Sequence, residues 1–231
     1  MNVLIVVTSA AEMAPGYPTG VRLEEYAIPY VCLAEVGITP CVASPKGGPS
    51  PIGPSSNPNA KTAPAWGPAI EALSRTLTVS EVSERDFDAL FIAGGHGAMV
   101  DLAADTALMA LVEAFARAGK PIAALAHGAA ALLGAKAADG RPLLAGRKAT
   151  GFTDAEEDAS PAAGLVPFHM ERRMREVGAL FEKALIPGGC HVARDGDLIT
   201  GQNPASSLAI AKTLAEVLAE RQRAALTGPA R

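Results

Sequence analysis

The chain has 231 residues, of which 49% are hydrophobic, 19% charged and 4% aromatic, a length and balance that fit one α/β domain over 1–231 around one core. Lys+Arg 20 against Asp+Glu 24 give a formal net charge of -4, which supplies no electrostatic footprint for nucleic acid or an anionic membrane. Cys32, Cys41 and Cys190, an odd number without metal-type spacing, build no disulfide framework and fit a reducing, cytoplasmic setting.

The amino terminus MNVLIVVTSA is briefly apolar, lacks a basic flank and runs into AEMAPGYP, so it reads as a buried strand rather than a signal peptide. No run approaches the ~18 consecutive apolar residues of a bilayer span. Apolar runs at 2–7, 39–44, 88–93 and 121–126 alternate with helix-period segments, which predicts a mostly parallel sheet covered by helices on both faces. A helix begins near Arg22. The stretch 45–68 is dense in Pro, Gly, Ser and Asn and reads as a long surface connection or a lid. From 105 to 118 Asp105 caps a helix with Leu108, Leu111, Val112 and Phe115 on one face, and Gly119 with Pro121 stops it. Small strands are expected at 147–150 and 191–200. In the last helix Asn203 is the expected cap, Pro204 sits in the first turn, and Ile210, Leu214, Val217 and Leu218 form the buried stripe.

Ligands of an open parallel sheet bind at the carboxyl ends of its strands, which singles out three segments. After ALFIA comes Gly94-Gly95-His96-Gly97, whose glycines leave backbone N–H groups free to face a ligand, although such a turn is equally at home as plain structure. After PIAAL comes Ala126-His127-Gly128, turning directly into a helix AAALLGA; this is the shape of a nucleophile elbow, with Ala126 at the elbow position. Leu23-Glu24-Glu25 opens the first helix, where a carboxylate is either a solvated partner of the helix dipole or, beside an imidazole, an acid-base group. His96 is placed to line the cleft, whereas His169 and His191 read as structural, and Cys190-His191 is not at an elbow. Glu25, His96 and His127 have donor types that suit a metal, but no HxxxH or His-acid spacing lies on one element, so no metal is expected.

The segments TGxxLEE at 19–25, ASPKGG at 43–48, AGGHGAMVDL at 93–102, AHGAAALL at 126–133, TGFTDAEE at 150–157 and LITGQNPASS at 198–207 resemble, in order, those of the DJ-1/PfpI superfamily. The likeness is greatest to its heat-shock-31-like branch, the glyoxalase III proteins also described as deglycases or chaperones. The resemblance implies a flavodoxin-like three-layer sandwich, a homodimer, a site without cofactor, and a small carbonyl-containing substrate. In that family the elbow carries Cys followed by His, and the thiolate attacks methylglyoxal to form a hemithioacetal. The family's acid, four residues before a proline in the first helix, maps to Glu25 with Pro29 as the ruler, and its histidine maps to His127. The backbone N–H groups of Gly95 and His127 match its oxyanion hole, Glu156 or Glu157 its orienting acid, and Val21, Arg22, Gly94 and His96 its substrate-facing positions.

Two positions depart from the pattern: Ala126 stands for the cysteine, and Val21-Arg22 for an aromatic pair before LEE. An engineered Cys-to-Ala change accounts for the first, and natural divergence for both. Of the other cysteines, Cys32 falls in the first helix, Cys41 in the second strand and Cys190 before a late hairpin, so thiol chemistry has no nucleophile in place. The reading that follows is cofactor-free lyase, hydratase or isomerase chemistry through Glu25 and His127, with a non-catalytic ligand-binding or chaperone-like protein as the second. Amidotransferase or protease activity follows only from superfamily analogy. Arg22 in the cleft suits a carboxylate- or enolate-bearing substrate, or is simply solvated. Enclosure is expected to lift Glu25 above the ~4.3 of a free glutamate against the pull of Arg22 and the helix N-terminus, as a general base requires.

Overall fold

The computed structural model describes residues 1–58 and 63–227. In chain order the elements are β1 (Asn2–Val6), a hairpin of β2 (Glu12–Ala14) and β3 (Tyr17–Pro18), α1 (Leu23–Glu35), β4 (Thr39–Ser44), α2 (Ala63–Leu73), β5 (Leu77–Thr78), β6 (Ala89–Ile92) and α3 (Thr106–Arg117). There follow β7 (Ile122–Leu125), β8 (Lys148–Ala149), α4 (Asp154–Asp158), α5 (Met170–Glu176), β9 (Leu180–Phe181), β10 (Val192–Asp195), β11 (Leu198–Gly201) and α6 (Ser207–Thr227).

Seven strands form one sheet in the order β10-β11-β7-β6-β1-β4-β5, parallel throughout except for the edge pair β10 and β11. Central β1 places Ile5 opposite Val42 on one side and Phe91 on the other. Its alternate residues serve two cores. Val3 and Ile5 join Leu33, Tyr26 and Leu214 under α1 and α6, while Leu4 and Val6 join Leu108, Val112 and Phe115 under α3. A strand covered on both faces has no wet side, and this is why the sequence shows continuous apolar runs in place of alternation. The chain leaves β1 toward β4 on one side and later returns to β6 on the other, so the carboxyl ends of β1 and β6 open a crevice at the topological switch point.

The cap expected at Asp105 is present: its Oδ1 accepts from the Leu108 N–H at 2.7 Å. Three other local expectations are corrected. Asn203 does not cap α6, which starts four residues later; its side-chain amide donates instead to Glu156 Oε1 at 2.7 Å and to the Gly189 carbonyl at 2.8 Å. The stretch 45–68 is not loop throughout, because α2 begins at Ala63 and accommodates Pro68; positions 59–62 of it lie outside the described residues. Its earlier part is tied down by a bridge from Ile52 to Val21 and another from Gly48 to Thr76. The segment after Ala126 is a 3₁₀ helix over Ala126–Leu132 rather than an α-helix. Gly128 lets it press on the end of β6, since a Cβ there would lie 2.6 Å from the Ile92 carbonyl oxygen.

Candidate active site

At the carboxyl ends of β1, β6 and β7 lies a cavity of about 330 Å³. Arg22, Glu25, Gly95, His96, His127 and Phe152 line it, and Met13, Tyr17, Pro161 and Leu165 give it an apolar wall. The two residues that carry the acid-base reading of the sequence, Glu25 and His127, therefore share one cleft.

The elbow is present in its backbone. Ala126 has φ 50°, the one positive value at a non-glycine among the described residues. A left-handed alanine costs roughly 1–2 kcal/mol, so the turn is held by the packing around it rather than by any preference of the residue. Its methyl group is fully buried and carries no nucleophilic atom.

Glu25 lies in the first turn of α1, just after Arg22 at the cap position, whose N–H donates to the Gly94 carbonyl at 3.1 Å. The carboxyl is buried, and Oε2 has no hydrogen-bond partner. Burial pushes its pKa up to about 8; Glu24 and Glu156 add to the rise, while Arg22 and the backbone of Gly95 oppose it. Desolvation thus outweighs the nearby cation, as the sequence reading expects. The consequence for its role differs from that reading: near neutral pH Glu25 holds its proton, so the resting group is an acid rather than a base.

Opposite it, Glu157 bridges two imidazoles. Its Oε2 lies 2.6 Å from His127 Nε2 and its Oε1 3.0 Å from His96 Nε2. Burial alone would raise Glu157, but the hydrogen bonds from His127 and then His96 outweigh it and hold the carboxyl at about 2. Burial lowers His127 in spite of that bond. A neutral imidazole beside a charged carboxylate carries its proton on Nε2, which leaves Nδ1 as the basic atom. The rings of His96 and His127 lie 4.2 Å apart, and Phe152 packs 4.4 Å from His127.

Of the two orienting acids left open by the sequence, Glu157 is therefore the one on His127. Glu156 faces the other way. It closes a capping box with Thr153 at the start of α4, and it accepts from Gln202 and Asn203. The residues T-D-A-E-E encode both roles, since successive side chains of one helical turn point apart.

Two substrate-facing expectations are corrected. Val21 is fully buried, and its backbone pairs with Ile52, which turns its side chain into the core beneath α1 instead of into the cavity. Gly94 is not in the cavity wall either; it forms the floor under Glu25, and a Cβ on it would lie 1.8 Å from Glu25 Oε2. Gly95, with φ 111°, and His96 do reach the wall. His169 occupies the cap position of α5 without a side-chain capping bond, 3.6 Å from Asp154, and His191 lies 3.7 Å from Glu182, both away from the cavity. Cys32 and Cys41 are partly buried and Cys190 is exposed; none lines the cavity. The sequence reading missed Phe152, although its place directly before the T-D-A-E-E turn was available as a signal, and it missed the hairpin residues Met13 and Tyr17, which show no periodicity at all.

His96, His127 and Glu157 also place three donor atoms within 4.8 Å of one another, a set able to hold a divalent ion. It contains Glu157 where the sequence offered Glu25. Both Nε2 atoms and both oxygens of Glu157 are engaged in the two hydrogen bonds between them.

The model of the DJ-1/PfpI family matches residues 17–217. The glutathione-independent glyoxalase hsp3101 of Schizosaccharomyces pombe is 27% identical over 238 residues, which cover 92% of this chain and 95% of that protein. The probable glutathione-independent glyoxalase hsp3103 of the same organism is 34% identical over 153 residues, 63% of this chain and 59% of that one; against it and several other curated relatives the chain spans about three fifths to two thirds of their length. The solved structure of the Rapid Encystment Protein of Francisella tularensis matches with a TM-score of 0.87 at 30% identity, covering 94% of this chain and 98% of that one. With its family match running over most of its length and its fold shared with solved relatives, the chain belongs to the DJ-1/PfpI family.

Proposed function

We propose that the protein is a cofactor-free enzyme of the glyoxalase III type that has no thiol at its elbow and moves protons on a small carbonyl compound. The observation that supports this most is Glu25: a buried carboxyl raised to about 8, with one oxygen lacking any hydrogen-bond partner, at the wall of the cavity that His127 also lines. Site selection commonly places such perturbed groups where chemistry happens.

In this reading the Glu25 proton passes to the carbonyl oxygen of the substrate while His127 Nδ1 takes a proton from the adjacent carbon. The C–H electron pair becomes the C=C bond of an enol, and the charge on oxygen is neutralised by Glu25 as it develops. Glu157 keeps the tautomer in place and stabilises the imidazolium. The N–H group of His127 supports the same oxygen, while that of Gly95 lies against the Glu25 carboxyl. Reversal at the same carbon gives hydrogen exchange, and reversal at the neighbouring oxygen-bearing carbon gives isomerisation. Relatives named as glutathione-independent glyoxalases favour a small oxo compound as substrate. A cytoplasmic homodimer belongs to the same reading; among the described residues no helix is long and apolar enough to cross a membrane.

The test is solvent deuterium incorporation into hydroxyacetone, followed by proton NMR. The native protein is expected to accelerate it, with Glu25→Gln and His127→Gln each losing about a hundredfold, the scale of a single acid or base. Exchange that is independent of Glu25 would overturn the mechanism.

A further inference from the structure

We propose that Arg22 makes the cavity a receptor for carboxylate-bearing carbonyl compounds, short 2-oxo acids with an apolar tail, in place of neutral aldehydes. This deepens the reading above and rests on it for the identity of the reacting carbonyl. Arg22 is the one permanent cation among the described residues that line the cavity. Its Nε is buried with no hydrogen-bond partner. The nearest carboxylate, Glu24 Oε2, is 3.7 Å away, beyond hydrogen-bond range, and Glu24 itself is not in the cavity wall. A guanidinium presents several N–H donors in a fixed fork that matches a carboxylate, so Arg22, held only by the loose ion pair of its Nε with Glu24, keeps donors for a second one.

The surroundings point the same way. Arg22 stands at the N-terminus of the 13-residue α1, where the helix dipole adds positive potential. The acids that could neutralise it inside the cavity do not: Glu25 is held protonated by its burial, and Glu157 is committed to two imidazoles. The Arg22 N–H to Gly94 carbonyl bond fixes the cap residue relative to Glu25, only three positions along the chain. A carboxylate on Arg22 with its carbonyl on the next carbon therefore presents that carbonyl toward Glu25. Met13, Tyr17, Phe152 and Leu165 supply the wall for an alkyl tail.

The probes are 2-oxobutanoate and its uncharged counterpart 2,3-pentanedione, titrated into the full-length protein by isothermal calorimetry. The native protein is expected to bind the anion about tenfold more tightly than the dione, the worth of one hydrogen-bonded charge. Arg22→Gln should erase that preference by weakening the anion alone, while Arg22→Lys should keep part of it. An unchanged anion affinity in Arg22→Gln overturns the proposal. Should that variant fail to fold, Glu24→Gln decides: removing the competing carboxylate should tighten the anion about threefold, and no tightening overturns the proposal. Glu25→Gln separates the two readings. If it abolishes exchange but keeps the anion preference, both stand; exchange that survives it with the preference intact sinks only the acid-base mechanism, and exchange lost with no preference in the native protein sinks only the Arg22 subsite.

Discussion

Gly94 and Glu25 are fitted to each other across the end of β6: a single Cβ added to Gly94 would stand 1.8 Å from Glu25 Oε2 and 2.6 Å from the Leu125 carbonyl oxygen. The glycine is required by closeness, since the carboxyl, the glycine and the strand leading to the elbow occupy one layer. Gly94→Ala is expected to destabilise the protein by about 1–3 kcal/mol, as overpacking does, and to displace Glu25. Urea denaturation of Gly94→Ala, Glu25→Ala and the double variant should show a coupling of about 1 kcal/mol or more, because the closer of the two clashes disappears with the carboxyl while that with the Leu125 carbonyl remains. Additive losses would place the clash elsewhere.

The pKa of Glu25 sets a pH dependence with a definite sign. An acid at about 8 in the folded state and at its ordinary value when unfolded binds more protons folded, so stability falls as pH rises from about 4.5 through about 8. The loss amounts to a few kcal/mol, at about 1.4 kcal/mol for each unit of displacement. Glu25→Gln should flatten that decline and be the more stable protein near pH 8. Glu157 acts in the other direction: its stabilisation is present above about 4.5 and is lost as pH falls toward about 2, a separate window. Unfolding free energies measured across the range, native against Glu25→Gln, check both signs.

Replacing Glu157 by Gln removes the charge that holds two imidazoles. The expected cost is about 1–3 kcal/mol of stability, because a bond to an ionised group is lost at a buried site. Nitrogen-15 NMR should show His127 protonated on Nε2 in the native protein and a mixture of tautomers in the variant. Deuterium exchange into hydroxyacetone should fall by about tenfold or more, with the rate partly rescued by Glu157→Asp. A native His127 protonated on Nδ1 would reverse its assigned role.

Ala126 cannot form a hemithioacetal, so conversion of methylglyoxal to lactate is expected to be unaffected by alkylating the cysteines. Ala126→Cys places a thiol at the left-handed elbow beside His127 and should introduce an alkylation-sensitive conversion. Lactate formation before and after alkylation measures it in both proteins. Sensitivity in the native chain would point to Cys190, the exposed thiol.

The alternation of buried strands and helices is legible in the order of residues, because a parallel sheet covered on both faces demands uninterrupted apolar runs and its crossovers demand a helical period. The order of residues also marks the strand ends at which the cavity opens, the capped start of α3 at Asp105, and the meeting of Glu25 with His127 in one cleft. These are local patterns, or consequences of parallel topology, that one chain carries in its order of residues. Which neighbour each polar group meets follows only from the packing of distant segments. Glu156 and Glu157 are adjacent in sequence, yet the first braces Asn203 and the second holds His127, since the helical turn of about 100° per residue sends them in different directions. Val21 and Arg22 are adjacent too, and the strand-like bridge to Ile52 buries the first while the start of α1 leaves the second at the cavity. Asn203, a good cap by type, was drawn off by Glu156 and Gly189. The raised pKa of Glu25 is likewise a property of enclosure: desolvation sums over atoms contributed by α1, β6 and β7, and no short stretch of sequence contains them all.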